Sequence, residues 1–210
     1  MNRFLRNILL LLFIVFILHV TTSWIIRGIH YTLFQSHQYV TYVIPMLHLT
    51  KYFAIAMLLL IILRKYAILT PAGNILTFTG LVISITMLVT TSLWSHGANQ
   101  EQIMRHRIIL HQTISWDEVE KVSTEIKQKS RHGTFRTTKV IGEYNLHLED
   151  GSVINIWSDV SSIYDLHQFV TGKGIQVEYL TNNIQNFDQN YTYYFKNSLE
   201  KAHQIFGVEQ

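Results

Sequence analysis

The first hundred residues contain neither aspartate nor glutamate, and the first acid in the chain is Glu101. Water-soluble domains carry charges of both signs at about a quarter of their positions. This segment carries only Arg3, Arg6, Arg27, Lys51, Arg64 and Lys65, and all of them flank apolar runs. Such a stretch keeps most of its surface away from water, and the bilayer is the environment that allows this. Beyond residue 100 the balance reverses, with eleven bases against fourteen acids. The net charge of +3 and pI of about 9.0 therefore describe no basic patch on a fold, and they do not argue for nucleic acid. The 210 residues have room for one or two domains. They divide into a membrane half, residues 1–96, and a soluble half, residues 97–210. The chain has no cysteine, which excludes disulfides, thiolate metal sites and thiol catalysis.

Three spans are expected. Residues 7–26 form an apolar run of the length needed to cross about 30 Å of hydrocarbon, with Arg3 and Arg6 before it and Trp24 and Arg27 at its far end. A cleaved signal peptide would need a small-x-small site after the run. None follows, and further apolar segments do. Residues 45–63, PMLHLTKYFAIAMLLLIIL, give a second span with proline in its first turn and Lys51 near one end, where its stem can snorkel. Residues 74–94 give a third. Thr77, Gly80, Ser84 and Thr91 lie on it at helical spacing, a small and weakly polar stripe of the kind through which membrane helices pack.

His19, His30, His37 and His48 include two pairs spaced eleven apart, about three helical turns. Histidine pairs on membrane helices can ligate haem, so an integral protein whose spans do the work, as a haem carrier or transporter subunit, is the alternative function. Against it, His30 and His37 fall in the expected loop, and the spans hold no carboxylate for proton or cation work. Interfacial or packed histidines are the simpler expectation, and no cofactor is assigned.

The soluble half reads as α+β. Residues 104–110 and 121–127 alternate as strands, and between them SWDEVEKV spaces Trp116, Val119 and Val122 three apart, as a short helical turn clamping a sheet would. Residues 144–157, YNLHLEDGSVINIW, read as a hairpin. A two-residue turn at Asp150-Gly151 would mix its faces. A three-residue turn, Glu149-Asp150-Gly151, pairs Leu146 with Ile154 and Tyr144 with Ile156, and sets Asn145 opposite Asn155. Glycine then falls where this loop class needs a left-handed residue. Glu149 and Asp150 are thus turn residues at a solvated tip, not an acid/base pair, which would need a cleft to separate their pKa values. Ser162 with Asp165 can cap a following helix whose inner face is Ile163, Leu166, Phe169 and Val170, and Gly172 ends it. A strand over 175–180 returns to the sheet. A last helix over 188–206 carries Tyr191, Phe195, Leu199, Ala202 and Phe206 on one stripe.

Several apolar spans precede a domain with Trp116-Asp117-Glu118-Val119-x-x-Val122 and later Tyr144-x-Leu146-x-Leu148-Glu149-Asp150-Gly151-Ser152-x-Ile154-x-Ile156. This arrangement resembles the bacterial membrane proteins that carry a C-terminal PH-like domain, over roughly residues 97–181. The resemblance implies a bent antiparallel sheet or partly open barrel closed by packing helices. The present chain departs from that plan by adding a strand and a second long helix, and no family site is carried over.

Metalloprotease, nucleophile-elbow and phosphate-loop motifs are absent from the sequence, and no enzyme activity is expected. The remaining candidate is the segment 127–139, where Lys127, Lys129, Arg131, Arg136 and Lys139 lie with His132 between Glu125 and Glu143. In lipid-binding PH domains a comparable loop grips anionic headgroups, and near a membrane each base can contribute about 1 kcal/mol toward an anionic surface. The expected function is a non-enzymatic module anchored in the cell membrane, binding a protein, a peptide or an anionic lipid or polymer at the bilayer. Three spans put Arg3, Arg6, Arg64 and Lys65 on one side, so the positive-inside rule sets the soluble domain outside the cytoplasm. Arg105 and Arg107 oppose that bias, and a re-entrant second segment would reverse it.

Overall fold

The computed structural model describes residues 3–66, 70–131, 137–181 and 186–208, side chains excepted at 3, 4, 7, 8, 11, 66, 128–131 and 137–139. Three long apolar helices come first, α1 (Arg3–Leu33), α2 (Leu47–Tyr66) and α3 (Pro71–Ser92). Within them Leu12–Leu33, Leu47–Lys65 and Pro71–Ser92 are each long and apolar enough to cross a membrane, with mean hydropathy of 1.7 to 1.8. A C-terminal α+β region with two sheets follows. The chain forms two compact units. One holds residues up to Ser36, Ile44–Ser95 and His106–Leu110. The other holds His37–Val43, His96–Arg105 and His111 onward.

In the helical unit the chain runs up, down and up. His30 near the end of α1 bonds through Nε2 to the Ser92 carbonyl at the end of α3, at 2.7 Å. Thr50 near the start of α2 donates to Thr91 Oγ1 at 2.9 Å. The small stripe on α3 is a packing face, as its spacing suggests: Thr77, Ser84 and Thr91 are buried, and a Cβ on Gly80 would lie 3.1 Å from Leu60. The first apolar helix is longer than residues 7–26, because nothing after Ile26 breaks it. It ends only where Gln35 takes φ +49°, so His30 lies in α1 and not in a loop. Pro45 sits in the turn before α2 and not in its first turn. Thr70 caps α3, accepting from Gly73 N at 3.2 Å, and Pro71 takes the first helical position, so that helix starts earlier than residue 74.

Strands β1 (Thr41–Val43), β2 (Ser95–Ala98), β3 (Ile103–Arg107) and β4 (Leu110–Ile114), most of whose residues belong to the second unit, form one sheet in that order. The run 104–110 is therefore not one strand: it contains a turn at Ile108-Ile109. β5 (Val119–Arg131), β6 (Thr137–Leu148), β7 (Val153–Asn155) and β8 (Val177–Tyr179) form a second sheet in the order β7-β6-β5-β8. The β6–β7 register pairs Leu146 with Ile154 and Asn145 with Asn155, and Ile156 N bonds to Tyr144 O at 3.0 Å, all as the face arithmetic requires. Unlike a purely antiparallel sheet, β8 runs parallel to β5, with Val177 opposite Val122. A helix between β7 and β8 makes that direction accessible.

Both sheets feed one core. Trp116, in a 3-10 turn closed by a Ser115/Glu118 capping box, is buried beside Phe169 and donates Nε1–H to the Asn99 carbonyl at 2.8 Å. Helix α4 (Val160–Gly172) is capped by Asp159, not Ser162: Oδ1 accepts from Ser162 N at 3.0 Å. It buries Ile163, Leu166, His167 and Val170, and the left-handed residue after it is Gly174, not Gly172. The last helix is two, α5 (Phe187–Phe195) and α6 (Leu199–Phe206), with Lys196 at φ +46° between them. A continuous helix would hold Phe187 and Phe206 about 28 Å apart. Their rings lie 6.2 Å apart instead, in a cluster with Phe195, and that burial drives the break.

Candidate interaction cleft

The solvated tip of the β6–β7 hairpin borders a cleft. Asp150 Oδ1 accepts from Ser152 N at 2.8 Å, Gly151 N donates to Leu148 O at 2.9 Å, and Gly151 takes φ +77°. The turn is tied down from outside by Glu149 N, which donates to the Glu118 carbonyl at 3.0 Å. Glu118 in turn accepts from Ser115 N through Oε1 at 2.8 Å. Arg105, buried at 8 % exposure on β3, donates from Nη1 to Ser152 Oγ at 3.2 Å. Arg105, Glu118, Leu148, Glu149 and Asp150, with His111, Gln112, Thr113 and Ile114 of β4, line an open cleft of about 390 Å³.

Two physical properties mark this place. β4 is the last strand of its sheet, and its residues His111, Gln112, Thr113 and Ile114 line the cleft. The charge lining the cleft is mostly negative, since Glu118, Glu149 and Asp150 share it with one guanidinium. The Ser152 hydroxyl, helped by the Ser152 N–H and Arg105, holds the Asp150 carboxyl below its usual range, so it is ionised at neutral pH. Glu149 and Asp150 are turn residues by their bonding, and they also form one wall of a recess. The sequence gives no hint of that, because the other wall comes from a strand whose edge position depends on the order of the whole sheet.

The basic segment is only partly described. Lys127 pairs with Glu143 at 2.7 Å and with Glu125 at 3.3 Å, and the Glu143 contact raises its pKa. The β5–β6 register sets Lys129 opposite Lys139 and Arg131 opposite Thr137 along the backbone. The side chains of Lys129, Arg131 and Lys139, and all of His132 and Arg136, lie outside the described residues. Of the four histidines singled out in the first half, His30 is buried at 1 % exposure and bonded as above, whereas His19, His37 and His48 are exposed. Among the described residues no three His, Cys, Asp or Glu side chains come together as a metal site would need. Comparison with known protein families, curated proteins and solved structures finds no match to the chain.

Proposed function

We propose that the chain is a membrane-anchored, non-enzymatic interaction module whose α+β region takes up an extended, cationic peptide segment along the β4 edge. The observation that carries this is the cleft: the terminal strand of a sheet beside a recess lined by three carboxylates and one guanidinium. Strand addition supplies main-chain hydrogen bonds without regard to sequence, and the carboxylates select for Lys or Arg. The three apolar helices hold the module at the bilayer. The meander β2–β4, the second sheet and helix α4 agree with a PH-like plan, while the parallel β8 is an addition to it. The up-down-up helices and the bases at their ends favour a domain outside the cytoplasm. As a secondary contact, the bases of the segment 127–139 would bind anionic lipid or polymer.

The test is selection of a random-peptide library on the full chain in nanodiscs, followed by affinity measurement against the Glu149→Lys variant. Cationic, extended binders that lose about tenfold or more in affinity on this charge reversal are the expected result. Binders that are indifferent to Glu149→Lys, or no binders, would overturn the reading. An export-dependent reporter fused after Gln210 checks the side: activity is expected, and silence beside an active cytoplasmic reporter would reverse the topology.

A further inference from the structure

We infer that the β3–β4 turn is a second membrane contact, in which Ile108, Ile109 and Leu110 enter the lipid of the leaflet where α1 and α3 end. The inference rests on the reading of α1 to α3 as membrane spans. Three consecutive apolar side chains stand out at this turn, 42 %, 90 % and 66 % exposed. At a water-facing tip they would be unfavourable, and a turn that dips into the headgroup boundary is where such a cluster belongs.

Geometry sets the turn at that depth. Residues His106–Leu110 belong to the same compact unit as the helices. The His106 ring meets the Leu93 carbonyl through Nδ1 at 2.6 Å and lies 4.6 Å from the ring of Phe34. Leu93 is the residue after α3, and Phe34 is the residue after α1. The Arg107 guanidinium sits 5.3 Å from the centre of the Trp94 ring. A Trp at a span end with an Arg over its face is an interfacial pair, apolar on one side and able to meet a phosphate on the other. Leu33, the last residue of α1, is 74 % exposed, so the surface around the turn continues a face already offered to lipid.

The backbone fits the same account. Ile108 takes φ +56° at the first central position of a two-residue turn, where glycine is the usual occupant. A β-branched residue is strained there. The strained side chain points to a gain outside the hairpin's own fold, and lipid contact supplies one.

The chain has no cysteine, so single-cysteine variants report cleanly. Ile109→Cys, Phe16→Cys in mid-span and Tyr193→Cys on α5 are each labelled with an environment-sensitive dye in nanodiscs of phosphatidylcholine and phosphatidylglycerol. The bilayers contain lipid with a nitroxide high on the acyl chain. Quenching at position 109 is expected to exceed that at position 193 severalfold. If position 16 is quenched but 109 behaves like 193, the turn stays in water: the inference fails and the spans stand. A blue-shifted but unquenched dye at 109 would mean that protein, a second copy included, covers the turn, which also overturns it. No quenching at 16 or 109 would remove the span reading and the inference together.

Discussion

Two hairpins of this chain meet the same backbone demand with opposite chemistry. The β6–β7 turn is Glu149-Asp150-Gly151 and the β3–β4 turn is Ile108-Ile109. Each needs a residue at positive φ, +77° at Gly151 and +56° at Ile108. Glycine adopts that conformation freely, whereas for other L-residues the left-handed region costs about 1–2 kcal/mol. The first tip is charged and its carboxylate is bonded within its own turn. The second tip is apolar and exposed. Turn geometry therefore does not choose tip composition here. The surroundings do: one turn borders a polar cleft, and the other lies level with the ends of two apolar helices.

The comparison can be broken hardest at the arms. If the charged hairpin is held by packing along its strands, its tip is dispensable to the fold. A Cβ on Gly142 of β6 would lie 2.2 Å from the ring of Trp157, which packs 5.5 Å from Phe206. Gly142→Val should cost about 1–3 kcal/mol through overpacking and raise amide exchange across β5 and β6 in the full chain. Unchanged exchange would mean that the arms do not hold the hairpin.

A tip exchange comes next. Replacing Ile108-Ile109 with Gly-Asn puts glycine at the strained position, so exchange protection in β3 and β4 should be kept or improved. Lipid quenching of a dye at Leu110→Cys should fall severalfold in the same protein. Loss of protection instead would show that the isoleucines serve the fold and would erase the contrast between the two hairpins.

Gly151→Val sharpens the contrast from the other side. Apart from its chain neighbours, no atom of the described residues lies within 4 Å of a Cβ built there, so the expected loss is the backbone term alone, about 1–2 kcal/mol. Gly151→Asn should cost clearly less, because Asn enters the left-handed region more readily. Equal losses for the two variants would point to a steric cause and not to φ.

What could be read from the sequence follows from what carries a local signal. The three long apolar helices were legible in apolar length alone, and the β6–β7 register followed from keeping Leu146, Ile154 and Ile156 on one face. The Ile108-Ile109 turn was not legible, since it has no Gly, Pro, Asn or Asp and its alternation continues into that of β4. β1 is three residues long and pairs with a strand more than fifty residues away, so nothing near it marks a sheet. The parallel direction of β8 and the break at Lys196 are set by tertiary packing, the latter by the ring cluster of Phe187, Phe195 and Phe206. The cleft was hidden for the same reason, because its two walls meet only in the folded sheet order.

The smallest effect is expected at Asp150. Its carboxyl is held below the ordinary value of 3.8, first by the Ser152 hydroxyl, then by the Ser152 N–H, with Arg105 adding attraction. A depressed folded-state pKa means that the unfolded chain binds the proton first as pH falls. The contribution is thus complete above the ordinary carboxylate pKa and is lost as pH drops below 3.8 through the folded value. Asp150 is fully exposed, so solvent screens its charge and the loss is small. Asp150→Asn keeps an oxygen that can accept from Ser152 N and removes only the charge. Exchange of the 148–152 amides at neutral pH should change little, and their acid dependence below pH 3.8 should flatten relative to the parent. A large loss of protection in Asp150→Asn at neutral pH would mean that the charge, through Arg105, holds the turn against β3. The two hairpins would then be coupled to one another instead of being independent answers to different surroundings.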